Sequence, residues 1–133
     1  IGVNVAAVLV PLHDPIRLAE QLAVLDNAAP GRLSVVGGIG YRDAEFAMAG
    51  VEKRGRGDVL EEYVGVLRQA WTGEPFEWRG REIVVTPKPA TPGGPLLMIG
   101  GGSVAAARRA ARLRCGFFPS AGHAELTLLG AIL

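Results

Sequence analysis

The sequence predicts an α/β protein built on parallel strands, and three observations carry that prediction. Ile1–Pro11 is an apolar run, after which Leu12-His13-Asp14-Pro15 opens an amphipathic stretch ending near Asn27. A tight Ala29-Pro30-Gly31-Arg32 turn then leads into a second apolar run, Leu33–Ile39. A third run, Leu96–Ile99, feeds Gly100-Gly101-Gly102-Ser103 and an Ala/Arg-rich helical stretch. Two strands joined through a helix of that length form a right-handed crossover between parallel partners. Spacing alone leaves open both a closed barrel and an open doubly wound sheet.

The first strand, Gly2–Val10, is near-continuous Val, Ala and Leu, the pattern of a strand buried on both faces. Asp14 is placed to cap the first helix, with Pro15 at its first turn. Ile16, Ala19, Leu22, Ala23 and Asn27 fall on one side of that helix, and Leu18 and Leu25 widen the stripe. The second strand, Leu33–Ile39, carries Gly37 and Gly38, where backbone can approach a neighbour closely. A short helix over Asp43–Ala49 is stopped by Gly50 in the C-cap position. Lys53–Gly57 reads as a polar linker, and Asp58 as the cap of a helix running to Thr72 with Leu60, Val64, Leu67 and Trp71 at helical spacing. Phe76–Arg79 and Glu82–Thr86 alternate around Arg79-Gly80-Arg81, a hairpin insertion spanning about 75–87. Pro87, Pro89, Pro92 and Pro95 stiffen the linker that follows. After strand three and the helix Val104–Arg114, Phe117-Phe118 begins a fourth strand.

Composition bounds the function. The 133 residues suit one domain, and 49% apolar residues can build a sizeable core. Fourteen basic and 13 acidic side chains leave a net charge of +1, which argues against nucleic acid or an acidic membrane surface as partner. Cys115 is the only cysteine, so no disulfide forms within the chain and a reduced, cytoplasmic compartment is expected. The longest apolar runs reach about ten residues, short of a membrane span. There is no initiating Met, and the chain stops at Leu133 inside an apolar pattern; a segment of a longer protein is the expectation.

Gly100-Gly101-Gly102-Ser103 is the best candidate site. A glycine loop between a strand and a helix offers free N–H groups and the positive end of a helix dipole to a phosphate, and Ser103 adds a hydroxyl. Read in isolation, the same residues make a simple strand-to-helix turn. His13 and Tyr41 follow strand ends, and in a barrel they face the end where sites are built. His13 there orients a substrate or moves a proton, or else is merely solvated. Tyr41 with Arg42 lines a pocket mouth or covers the strand end. Asp14, Asp43 and Asp58 read as helix caps, and Glu20, Glu61 and Glu62 as solvent-facing. Arg108, Arg109, Arg112 and Arg114 form a basic stripe that meets solvent or an anionic group. Cys115 follows that Arg-rich helix end, which lowers a thiol pKa, yet it lacks a nearby histidine and reads as a half-buried structural thiol. His and Cys are too few and too scattered for a zinc site. No catalytic acid or base is assigned.

Several blocks, in order, carry a family resemblance. They begin with Ile1-Gly2-Val3-Asn4-Val5, Val10-Pro11, His13-Asp14-Pro15, Arg17-Leu18-Ala19-Glu20-Gln21 and Leu25-Asp26. Pro30-Gly31-Arg32-Leu33, Gly38-Ile39-Gly40-Tyr41, Glu45-Phe46, Gly50-Val51 and Arg54-Gly55 follow. Glu61-Glu62 with Leu67, Trp71-Thr72-Gly73, Phe76 with Gly80, Pro95-Leu96, Ile99-Gly100-Gly101 and Arg109-Ala110-Ala111 complete the set. Over residues 1–118 the chain resembles the luciferase-like flavin monooxygenases and their deazaflavin-dependent relatives. The pattern departs from them at Arg114-Cys115-Gly116-Phe117, where relatives carry an Asp-Gly step.

The resemblance implies a TIM-type (β/α)8 barrel, of which residues 1–133 form one partial domain holding about half. It implies a flavin- or deazaflavin-dependent oxidoreductase or monooxygenase with FMN or a deazaflavin coenzyme as cofactor and a small organic substrate. The implied cofactor set is Gly100, Gly101, Gly102 and Ser103 at the phosphate, Gly40, and Asn4 with Val5 where relatives carry a bulge and often a non-prolyl cis peptide. His13 and Tyr41 would face substrate. A half barrel leaves open strand edges, so a homo-oligomer is expected. The rival reading is a non-catalytic half barrel that associates through those edges. An open-sheet dinucleotide binder is disfavoured, because the glycine triplet lacks spaced glycines and a following acidic residue.

Overall fold

A computed structural model describes residues 1–120; the rest of the expected single domain lies outside the described residues. Strand β1, Val3–Leu9, runs into a single 3-10 turn, Val10–Leu12, and helix α1, Pro15–Ala28. Strand β2, Leu33–Gly38, is followed by α2, Asp43–Ala49, and α3, Arg56–Ala70. A hairpin of β3, Phe76–Trp78, and β4, Arg81–Ile83, precedes β5, Leu96–Gly101, α4, Val104–Leu113, and β6, Gly116–Pro119. The main sheet has the order β1-β2-β5-β6, with every neighbouring pair parallel. Strand order follows chain order without reversal, whereas a doubly wound sheet reverses at a switch point. The described strands are wound in one direction, as in a barrel.

Leu33 and Val35 of β2 and Leu97 and Ile99 of β5 join Leu18, Leu22 and Ala23 of α1, Leu60, Val64 and Leu67 of α3, and Ala110 of α4 in one core. The helices therefore cover one face of the sheet. Of the residues that alternate to the other face, Leu96 is 59% exposed, whereas Val36, beside the strand ends, is 2% exposed. This corrects the expectation that the first strand is buried on both faces. β1 forms one edge of the sheet, and Val3 is 43% exposed. The strand itself, expected over Gly2–Val10, runs Val3–Leu9, because Val10-Pro11-Leu12 turns away from the sheet.

Local chemistry explains the helix ends. The Asp14 carboxylate accepts from the N–H groups of Ile16 (2.9 Å) and Arg17 (3.0 Å), with Pro15 in the first turn. Gly50 closes α2 in the left-handed conformation, φ +64°. Two expected caps move. Helix α3 starts at Arg56 with Gly55 (φ +77°) as its N-cap, so Asp58 lies inside the first turn, where a negative charge complements the helix dipole. Arg42 is the N-cap of α2, and Asp43 instead pairs with Lys53 at 2.6 Å. The hairpin is shorter than expected and turns on Arg79 and Gly80, both at positive φ, the geometry favoured by tight two-residue hairpins. The proline-rich linker is anchored to the core. Trp71 is 2% exposed, donates Nε1–H to the Ala19 carbonyl (3.1 Å), and packs so close to Gly94 that a side chain there would overlap its ring.

Candidate functional site

The C-terminal ends of β1, β2, β5 and β6 converge on a cavity of about 570 Å³. Its floor is apolar: Ala6, Ala7, Leu9, Val36, Ile39 and Phe118. The β1–β2 register shifts between Ala6 and Val8, and the Ala6–Ala7 peptide is cis. The irregularity expected at Asn4-Val5 thus lies further along the strand, which brings Ala6, Ala7 and Leu9 to the cavity. Asn4 lies nearer the start of the same strand, exposed, where its Oδ1 accepts from the Ser34 hydroxyl (3.1 Å). Val5 lies outside the cavity, in a separate apolar groove with Leu12, His13, Leu22 and Leu25. His13 therefore does not meet Tyr41. Tyr41 does line the cavity, 72% exposed at its mouth, with the Arg42 guanidinium 5.6 Å from its ring centre.

The opposite end of the cavity is polar. Gly100, Gly101, Gly102 and Ser103 line it and lead directly into α4. At two of these positions, Gly100 and Gly101, the packing is too tight for a side chain. A Cβ on Gly101 would stand 2.6 Å from Ala106 Cβ, and one on Gly100 2.9 Å from Val36 Cγ1. Gly40, on the facing loop, combines φ +75° with the Phe46 ring 3.1 Å from where its Cβ would stand. Ser103 is the N-cap of α4, its Oγ accepting from Ala106 N–H (3.2 Å). That leaves the hydroxyl proton free to donate. The N–H groups of Val104 and Ala105, in the first turn, have no intrahelical acceptor. A cradle of this kind, with the helix dipole behind it, fits a phosphate.

Two arginines complete the polar end. Arg56, at the start of α3, donates Nε–H to the Gly40 carbonyl (2.9 Å) and so ties the β2–α2 loop to α3. Arg109 reaches the cavity from α4, with its side chain only 13% exposed. Its Nε donates to Glu61 Oε1 (3.1 Å), and Arg112 Nη2 donates to the same oxygen (2.5 Å). Glu61 is thus not the solvent-facing residue expected, and the basic stripe is partly paired. Arg112 foremost, with Arg109 adding to it against the effect of burial, holds the Glu61 carboxyl below its ordinary pKa. Cys115 behaves otherwise than an Arg-rich neighbourhood suggests. Burial pushes its thiol up and outweighs the Arg68 guanidinium 3.4 Å from Sγ.

Arg56, Ala6, Ala7 and Phe118 are cavity residues that sequence reasoning passed over. The glycines flanking Arg56 hid it, since Gly55-Arg56-Gly57 reads as linker although α3 begins at Arg56. No signal marked the two alanines. No helix among the described residues is long and apolar enough to cross a membrane.

Comparison with known proteins now places the chain. The family model described as luciferase-like monooxygenase matches residues 1–131. An FMNH2-dependent dimethylsulfone monooxygenase of Pseudomonas putida is 30% identical over 129 residues, covering 91% of this chain and 36% of that protein. An F420-dependent glucose-6-phosphate dehydrogenase of Nakamurella multipartita is 28% identical over 131 residues, covering 93% and 38%. The crystal structure of the monooxygenase RslO1 from Streptomyces bottropensis superposes with a TM-score of 0.82 at 25% identity, over 99% of this chain and 43% of that one. The chain spans little more than a third of the length of these two relatives. With its singly wound parallel sheet and glycine-lined cavity at the strand ends, the chain belongs to the luciferase-like monooxygenase family and takes that family's TIM-type barrel fold in part.

Proposed function

We propose that the cavity holds a phosphorylated flavin-type cofactor, FMN or a deazaflavin coenzyme, for an oxidoreductase or monooxygenase acting on a small organic substrate. One observation carries this reading. A single cavity joins an apolar floor suited to a planar ring with a glycine cradle at the N-terminus of α4 suited to a phosphate. The names of the relatives support both cofactor types. When bound, such a cofactor supplies electron or hydride transfer, while the protein binds, orients and excludes water.

The chain's own residues divide that work. Gly100, Gly101 and Gly102 let the backbone approach the phosphate, the α4 N–H groups and the Ser103 hydroxyl donate to it, and Gly40 shapes the facing wall. Ala6, Ala7 and Val36 seat the ring and keep water from one side of it. Tyr41 at the mouth is placed to meet substrate. Asn4, Val5 and His13, away from the cavity, support it from β1 and the loop after it. No His, Asp or Glu lines the cavity among the described residues, so proton transfer is assigned to none of them. A cytoplasmic setting belongs to the same reading.

Titration of the chain with FMN and with the deazaflavin coenzyme, followed by fluorescence, tests it. Saturable binding of one cofactor, lost in Gly101→Glu, is the expected result. A folded chain that binds neither refutes the reading.

A second reading rests on the unpaired outer edges of β1 and β6 among the described residues. Self-association through those edges, with or without catalysis, predicts a mass by light scattering that rises with concentration.

A further inference from the structure

The Glu61 carboxylate joins two helices at the polar end of the cavity, a contact that neither a phosphate loop nor a barrel wall requires. One oxygen, Oε1 on α3, accepts from Arg109 Nε and from Arg112 Nη2, both on α4. Gly57, one turn before Glu61 on α3, leaves room for this arrangement, because a Cβ there would overlap the Arg109 guanidinium. Arg109 is thereby pinned on three sides: by its own helix, by the bare backbone of Gly57 and by Glu61. Its side chain is nearly buried yet borders the cavity beside Gly101, Ser103 and Ala106. Two guanidinium groups against one carboxylate leave one positive charge in the cluster. Within this partly buried setting that charge is less screened than a surface arginine's.

We propose that Glu61 is a positioning residue that holds the Arg109 guanidinium at the cavity wall, where it discriminates phosphorylated from phosphate-free cofactor. The inference rests on the proposed function and goes further, since it assigns the selectivity for the phosphate to a residue that does not touch it. Arg109 contributes a charge-assisted donor, and its contribution depends on geometry. A free arginine chain loses side-chain entropy on each binding event, whereas one held by Glu61 is already ordered. Glu61 also adds a negative charge to the site, so its net electrostatic effect on an anion is repulsive. Position and net charge therefore predict opposite signs for its removal.

The experiment compares affinities for FMN and riboflavin, and for the deazaflavin coenzyme and its phosphate-free alcohol, in the 133-residue chain and its variants. Fluorescence titration reads each dissociation constant, and far-UV circular dichroism checks that each variant is folded. Glu61→Ala is expected to weaken binding of the phosphorylated cofactor about tenfold and to leave the phosphate-free partner unchanged. Glu61→Gln, which retains an oxygen acceptor for both guanidinium groups, is expected to restore most of the loss. Arg109→Met is expected to lose at least as much as Glu61→Ala, again only for the phosphorylated cofactor. Unchanged or tighter FMN and deazaflavin coenzyme binding by Glu61→Ala overturns the inference, as does equal weakening of both members of a pair. A wild-type chain that binds none of the four overturns the proposed function itself.

Discussion

The carboxylate of Asp26 accepts two hydrogen bonds from one residue, Thr91, whose N–H lies 2.7 Å from Oδ2 and whose hydroxyl lies 2.8 Å from Oδ1. Asp26 is fully buried near the end of α1, and the same Thr91 oxygen accepts from Gly31 N–H (3.1 Å). Asn27 adds a bond from Nδ2 to the Lys88 carbonyl (2.9 Å). The proline-rich linker is therefore clasped to the α1–β2 turn, and β5 enters the sheet from a fixed point.

Asp26→Ala removes both bonds and leaves the part-buried Thr91 N–H without its carboxylate partner. A loss of about 3 kcal/mol is expected by urea denaturation, against about 1–2 kcal/mol for Thr91→Val, which loses only the hydroxyl bonds. Cofactor affinity should not move in Thr91→Val, because the clasp is remote from the cavity.

Gly101→Val tests the glycine cradle without adding charge. Its Cβ meets Ala106 Cβ, so either α4 shifts or the loop opens. Loss of cofactor binding, with a stability cost of about 1–3 kcal/mol, is expected. Unaltered binding in a calorimetric titration contradicts the assignment of the loop.

Gly65 is the contrasting case. It lies on the exposed side of α3, and a Cβ there meets nothing within 4 Å. Gly65→Ala should stabilise the chain by about 0.5–1 kcal/mol, seen as a rise of a few degrees in Tm.

Acid titration isolates Glu61. Its carboxyl pKa is lowered in the folded state, chiefly by Arg112, so the stability it confers is complete above the unfolded pKa of about 4.3. That contribution is lost as pH falls through the lower folded value. The stability difference between the wild-type chain and Glu61→Gln should therefore be steady near neutrality and shrink below about pH 4. A constant difference down to the acid limit contradicts the ion pairs.

Cys115 titrates in the other sense. Burial favours its neutral thiol, so at pH 8 iodoacetamide should alkylate it several-fold more slowly in the folded chain than in urea.

By itself the sequence determined the parallel α/β architecture, the Asp14 and Gly50 helix ends, the glycine loop before α4 and the family. These depend on neighbours in the chain: apolar period, capping side chains, turn residues and ordered motifs. Composition and period did not choose between barrel and open sheet; the motif resemblance did, and the strand order agrees. Tertiary structure alone decided what each charge meets and which strand forms an edge. Glu61 and Arg109 stand 48 positions apart, and Asp26 and Thr91 65, so no local pattern records that they pair. The placement of the β1 irregularity at Ala6–Val8 was likewise hidden, because two alanines in an apolar run look like any other strand. Local periodicity reports what a residue does to its own backbone. Charges and small side chains take their roles from atoms that only folding brings near.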